Sequence, residues 1–239
     1  MSKSSTKKLC LPLLAFAIVA IGAVFTLTIT AQNPEMQQKI ADLKTMAAMN
    51  KQALAKYTYL QTTTVSLKGE VKKVMHDQVV TGPDGKPQKT SLDPPPAPPS
   101  GGRLKQHVIE KKVDEYKTYA DSMKTLIGQY VPPSPAKIDA AKAAGNIMAG
   151  PAGAPGEFKL VFSNYVKQGD KMTITINKAA GGIQSLSIAS YLTDPSDAVT
   201  VDVQMAQIPG GPSHVATQTI NGVSKQMTVL VQNSNYQLP

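Results

Sequence analysis

At 239 residues and 41% hydrophobic composition, the chain can bury a core and lacks the bias of disordered or collagen-like sequences. One cysteine excludes a disulfide framework, and the absence of tryptophan makes any pocket aliphatic and thioether in character. The net charge of +9 comes without a basic-aromatic module, so no nucleic-acid partner is expected.

The first eight residues, MSKSSTKK, carry three lysines and no acid, and an apolar run follows from Leu9 to Thr30. A basic segment ahead of an apolar one is an export signal. Residues 1–31 therefore read as a signal peptide cut after Ala31. The run also has the length of a membrane span, so the alternative is an uncleaved inner-membrane anchor. Membrane association is expected only through residues 9–30, if they are retained. Cys10 follows Lys8-Leu9 and does not form the lipid-attachment box of a lipoprotein signal. The protein is placed in the periplasm or cell envelope, where it must fold without disulfides. The basic surplus lies in the first half, with seventeen basic to eleven acidic residues over 32–156 and five to five over 157–239. Interleaved acids make that half a mixed solvated surface, with weak attraction to anionic lipid or polymer as the sharper reading.

Residues 32–239 read as a single envelope domain. Asn33-Pro34-Glu35 supplies a cap, a first-turn proline and an early acid. Met36, Ile40, Leu43, Ala47 and Leu54 then predict a helix over about 34–55. Tyr57, Tyr59, Val65 and Leu67 share one face of a threonine-rich strand, and Gly69 turns it into a second strand, Val71 to Thr81. Pro83-Asp84-Gly85 leads to a third near Gln88 to Leu92, completing the helix and hairpins of 32–92. DPPPAPPSGG, residues 93–102, is a proline-rich loop.

Helices occupy 103–149. The first runs from Arg103 to about Gln129 with an apolar stripe of Ile109, Val113, Tyr116, Ala120, Met123 and Ile127. Pro135 starts a short one through AKIDAAKAAGNIM, and AGPAGAPG to Gly156 reads as a flexible hinge. Six strands follow over 157–236: Phe158 to Val166, Met172 to Lys178, Ile183 to Leu192, Ala198 to Gln207, Ser213 to Ile220 and Val223 to Gln232. Turn chemistry separates them, including Ala180-Gly181-Gly182 and Asn221-Gly222. Connections this short force antiparallel neighbours. Met172, Ile174 and Ile176, then Val199, Val201, Val203 and Met205, then Met227, Val229 and Val231, make one apolar face opposite threonines and serines. A 27-residue helix is about 40 Å long and six strands span roughly 25–30 Å, so one helix can cross the sheet. The fold class is α+β: a curved antiparallel sheet of about nine strands, with the N-terminal and inserted helices covering its apolar face.

No catalytic or metal motif stands out, and no cofactor is expected. Ser134-Pro135-Ala136-Lys137 matches SxxK but is also an ordinary helix start, with no KTG partner. His76, His107 and His214 have no metal-ligand spacing. Asp194, Asp197 and Asp202, like Asp77 and Asp84, lack a calcium-loop pattern. An enzyme would need distant groups brought together, such as His214 beside Ser134.

The stretches KQALAKYTYLQ, GPDGKPQKT, YVPPSPAKIDAAKAAGN, NYVKQGDKMTI, YLTDPSDAV and VQNSNY resemble a family of uncharacterised exported bacterial proteins. The element order is similar to that of periplasmic lipoprotein carriers, which implies an incomplete barrel around an apolar cavity lidded by helices. The expected function is non-enzymatic: binding a lipid, acyl chain or apolar peptide between sheet and helices. The candidate lining is Met172, Ile174, Ile176, Leu186, Ile188, Val201, Val203, Met227 and Val229 from the sheet, with Tyr116 and Met123 from the long helix. The alternative is a structural or protein-interaction module at the membrane surface, with a dry core and an envelope protein as partner.

Overall fold

The computed structural model describes residues 34–95, 103–177 and 182–238. The segment Leu9 to Thr30, most of the proline-rich loop, the turn at Gly181 and the side chains of Met36, Leu43, His107 and Ile109 lie outside the described residues. The chain runs α1 (Pro34–Leu54), β1 (Thr58–Leu67), β2 (Glu70–Thr81), β3 (Pro87–Ser91), α2 (Arg103–Ile127) and α3 (Pro135–Ala143). It continues through β4 (Ile147–Pro151), β5 (Glu157–Ser163), β6 (Lys171–Asn177), β7 (Gly182–Tyr191), β8 (Ala198–Gln207), β9 (Ser213–Gly222) and β10 (Met227–Gln237).

These ten strands form one sheet in the order β3-β2-β1-β10-β9-β8-β7-β6-β5-β4. Every neighbouring pair is antiparallel, as the short connections require. A three-strand meander is thus joined to a seven-strand one by β1 pairing with β10, with α2 and α3 inserted between the two and α1 ahead of the first. The predicted α+β class and C-terminal meander are those observed.

Three local expectations are corrected. The helix expected to continue through Met148 ends at Ala143, because Gly145 adopts φ +70 and Asn146 N–H returns to the Ala141 carbonyl. β4, the tenth strand, spans the end of that expected helix and the start of the expected hinge. Ile147 and Ala149 point inward against Phe162 and Leu160 of β5, while Met148 faces out. Glycine, alanine and proline read locally as a breaker, but cross-strand pairing and burial of Ile147 outweigh that preference.

The second correction concerns Asn221-Gly222, expected to be a turn. It belongs to β9, and the turn is Val223 to Gln226, closed by Gln226 N–H to the Val223 carbonyl at 3.0 Å. Gly222 serves a different purpose. A Cβ there would lie 2.6 Å from Met123 Sδ and from the Tyr119 ring, so its bare backbone lets α2 sit on the sheet. Gly222→Ala is expected to cost about 1–3 kcal/mol, as overpacking beneath buried side chains does. Urea denaturation measures it, and a loss under about 0.5 kcal/mol would mean that α2 is not seated there.

The third is the α2 stripe. Val113 is exposed, Tyr116 and Ala120 are half-buried, and the seated face is Tyr119, Met123, Leu126 and Ile127, continued by Tyr130. Among the described side chains of α2, those held on the sheet begin at Tyr116. Its far end is fixed by Tyr130, whose hydroxyl lies 2.5 Å from Asp170 and 2.8 Å from Ser190. α3 contributes Ile138 and Ala141 to the same core, α1 contributes Ile40, and Lys44 pairs with Asp139 to join those two helices.

Candidate functional site

Strand register turns the alternation of the sequence into rows that cross the sheet. One inner-face row runs Ile147, Phe162, Met172, Ile188, Val201, Ile220, Val229 and Val65, from β4 to β1. The next runs Ala149, Leu160, Ile174, Leu186, Val203, Gln218, Val231, Thr63 and Met75, ending on β2. Composition changes gradually along these rows, but burial changes abruptly. Every member on β4 to β8 is at most 9% exposed, whereas Ile220, Val229, Val65, Val231 and Met75 are half-buried. Along these two rows the helices close the inner face as far as β8 and leave a shallow, partly exposed apolar trough beyond it, whereas the row through Val199, Gly222 and Met227 stays closed as far as β10.

The sequence-predicted lining residues fall on both sides of this break. Met172, Ile174, Ile176, Leu186, Ile188, Val201, Val203, Met227 and Met123 are buried in one cluster with the helices. Val229 and Tyr116 are half-buried at the margin of that cluster. Ile220 and Met75 were not singled out from the sequence. Alternation within β9 and β2 was a weak signal for them, but their rows exist only once β1 is paired with β10. The trough ends in polar and aromatic groups. Gln61 Nε2 donates to Asn233 Oδ1 at 2.9 Å, and Tyr59 stacks on Tyr236 at 4.7 Å between ring centroids. His214 lies 4.1 Å from the same Tyr236 ring, and burial pushes both tyrosine hydroxyls to a higher pKa.

A groove of about 710 Å³ runs along the polar side of α2, between Thr118, Ser122, Thr125 and Gln129 and the turns bearing Lys167, Asp197 and Lys225. Its charges are largely paired. The Lys225 ammonium bonds Glu115, lowering the carboxyl pKa and raising its own. Tyr119 Oη donates to Asp197 at 2.9 Å, and burial raises the tyrosine pKa. Lys167 Nζ donates to the carbonyls of Tyr191 and Leu192 at 2.7 and 3.0 Å. The Glu115 and Tyr119 contacts tie α2 to the strand ends, and those of Lys167 join the β5–β6 turn to the end of β7.

The weak chemical motifs take structural positions. Ser134 caps α3, its Oγ accepting from Lys137 N–H at 3.5 Å, and its own N–H donates to Tyr165 Oη at 2.9 Å. Lys137 Nζ donates to the Gln129 carbonyl at 3.3 Å and lies over the Tyr165 ring. His214 has Val215 O and Tyr236 as its neighbours, so the Ser134–His214 pair is not assembled. His76 pairs with Asp93 at 2.8 Å, and that hydrogen bond lowers the Asp93 pKa. Asp194 accepts from Ser196 within its turn, and Asp84 accepts from Lys86 N–H within its hairpin. Among the described residues, no three His, Cys, Asp or Glu side chains gather to hold a metal, and no helix is long and apolar enough to cross a membrane.

The fold is structurally similar to two solved proteins. A DUF1329 family protein from Desulfovibrio piger aligns with TM-score 0.42 and 11% identity over 83% of this chain and 92% of that one. A LolA superfamily protein from Nitrosomonas europaea aligns with TM-score 0.38 and 10% identity over 82% of this chain and 93% of that one. No protein-family model and no curated protein matches the sequence.

Proposed function

We propose that this is a non-enzymatic, exported envelope protein that holds an apolar ligand between the inner face of its sheet and its helices. The observation that supports the reading is the break in cover beyond β8 along the rows through Val201 and Val203. The same apolar rows continue past it, yet Ile220, Val229, Val65, Val231 and Met75 keep access to solvent. Four strands at about 4.8 Å give a trough roughly 15–20 Å wide, and each methylene buried there contributes about 0.8 kcal/mol. A lipid, an acyl chain or an apolar peptide has that chemistry. Val229 and Tyr116 meet such a ligand first. Met172, Ile174, Ile176, Leu186, Ile188, Val201, Val203, Met227 and Met123 line it only where the helices lift.

Burial of those nine favours the second reading, a structural or interaction module whose core is dry and whose trough is a surface for another envelope protein. Export rests on the basic and apolar segments before Ala31, and residues 32–239 are the single domain delivered.

Native mass spectrometry of the protein purified from a bacterial periplasm, followed by organic extraction, separates the two readings. Carrier function is expected to give a bound species of lipid mass, depleted in Val229→Trp, which fills the trough without entering the closed core. The chain has no native tryptophan, so the new side chain also reports occupancy by fluorescence. A clean apo mass, with no uptake of added oleate, would leave the interaction module standing.

A further inference from the structure

A second recess lies outside the inner face, where α1 ends beside the β8–β9 turn and the C-terminal strand. Two hollows of about 570 Å³ each share Lys56, Tyr57 and Leu238, forming one groove bent around these residues. Each volume falls in the range of about 300–1,000 Å³ that small-molecule sites occupy. One arm runs along Met46, Met49 and Ala53 of α1 to Pro212. Met49 and Leu238 are 66% and 60% exposed, so the apolar wall they form is open to a ligand. Methionines lend such a wall the pliancy to fit an alkyl chain.

Among the described residues, the charge lining the groove is of one sign. Lys56 lines both arms, and no acid lines either. Asn50, the neighbouring amide, is occupied: it donates to Ser213 O at 2.6 Å and accepts from Ser213 N–H at 2.7 Å. The last α1 carbonyls, of Lys51, Ala53 and Leu54, are taken by the N–H groups of Ala55, Lys56 and Tyr57. Lys56 Nζ thus has no ion pair or hydrogen bond among the described residues.

We propose that this groove binds a single-chain anionic amphiphile, a long-chain carboxylate in chemistry, with its tail along Met46, Met49 and Ala53 and its carboxylate on Lys56. The site is independent of the inner-face trough. A charge-assisted hydrogen bond beside an apolar wall is what distinguishes a carboxylate from an alcohol of the same length.

Titration calorimetry with decanoate, decanol and decyltrimethylammonium, below their micellar concentrations, tests it. In the Val229→Trp background, where the trough is filled, decanoate is expected to bind one to one, with Lys56→Gln weakening it about fivefold and leaving decanol unchanged. In the same background Ala53→Trp, at a half-buried position of α1 that lines the groove, blocks it and abolishes both. Urea midpoints check that each variant is folded. The proposal is overturned by no decanoate binding, by equal affinity in Lys56→Gln, or by equal binding of the cation. Decanoate binding lost in Val229→Trp but kept in Ala53→Trp also overturns it, and assigns the ligand to the trough instead.

Discussion

Replacing Asp170 by alanine is expected to cost about 3–4 kcal/mol of folding stability, the sum of several charge-assisted hydrogen bonds lost at a buried site. Asp170 is 2% exposed and organises the β5–β6 turn from inside. Its Oδ1 accepts from Tyr165 N–H at 2.6 Å, and its Oδ2 accepts from Val166 and Lys167 N–H at 2.8 Å each. The Tyr130 hydroxyl completes the set. A phenol has one proton, so Tyr130 donates it to the carboxylate and accepts from Ser190 in return. Burial, then the neighbouring carboxylate, holds the Tyr130 pKa far above its ordinary value, keeping it a donor. The network therefore fastens the turn and the end of α2 to each other. Tyr130→Phe removes one member and leaves the turn intact, so it is expected to cost only about 1 kcal/mol. Urea denaturation of both variants checks this. An Asp170→Ala loss no larger than that of Tyr130→Phe would mean that the turn holds without the carboxylate.

Much of this architecture is legible in local sequence, because most of it is local. Pro34 marks the start of α1, β8 occupies the predicted Ala198–Gln207, and the alternation of Met172, Ile174 and Ile176 places them together on the core face. Where sequence reading went astray, a distant partner decided the outcome. β4 looks like a hinge until Phe162 and Leu160 lie beside it. Asn221-Gly222 looks like a turn until Tyr119 and Met123 need the space above Gly222. The periodic stripe of α2 includes the exposed Val113, because periodicity alone does not reveal how far along its length a helix is seated. The break in cover was the least legible feature. It depends on β1 pairing with β10, whose residues are separated by most of the chain, and Val65 carries no mark distinguishing it from Val201.

That break yields the second large effect, which bears directly on what the inner face is for. Phe162 and Val65 lie on the same inner-face row, one in the closed half and one in the trough. Phe162 is fully buried, flanked by Ile147 and Met172, and meets Tyr165 edge-on at 5.6 Å. Close packing on every side cannot collapse to fill the space it leaves, so Phe162→Ala is expected to cost about 3–5 kcal/mol. Val65 is half-buried, and truncating it removes two methyl groups that water already reaches in part. Val65→Ala is therefore expected to cost about 1 kcal/mol or less. Adding a ligand that fills the trough should widen that gap, because the ligand stabilises the native protein and Val65→Ala binds it less tightly. Thermal denaturation with and without oleate reads both quantities. A Val65→Ala cost approaching that of Phe162→Ala, unchanged by oleate, would mean that the trough is closed core, and the apolar face would then be wholly structural.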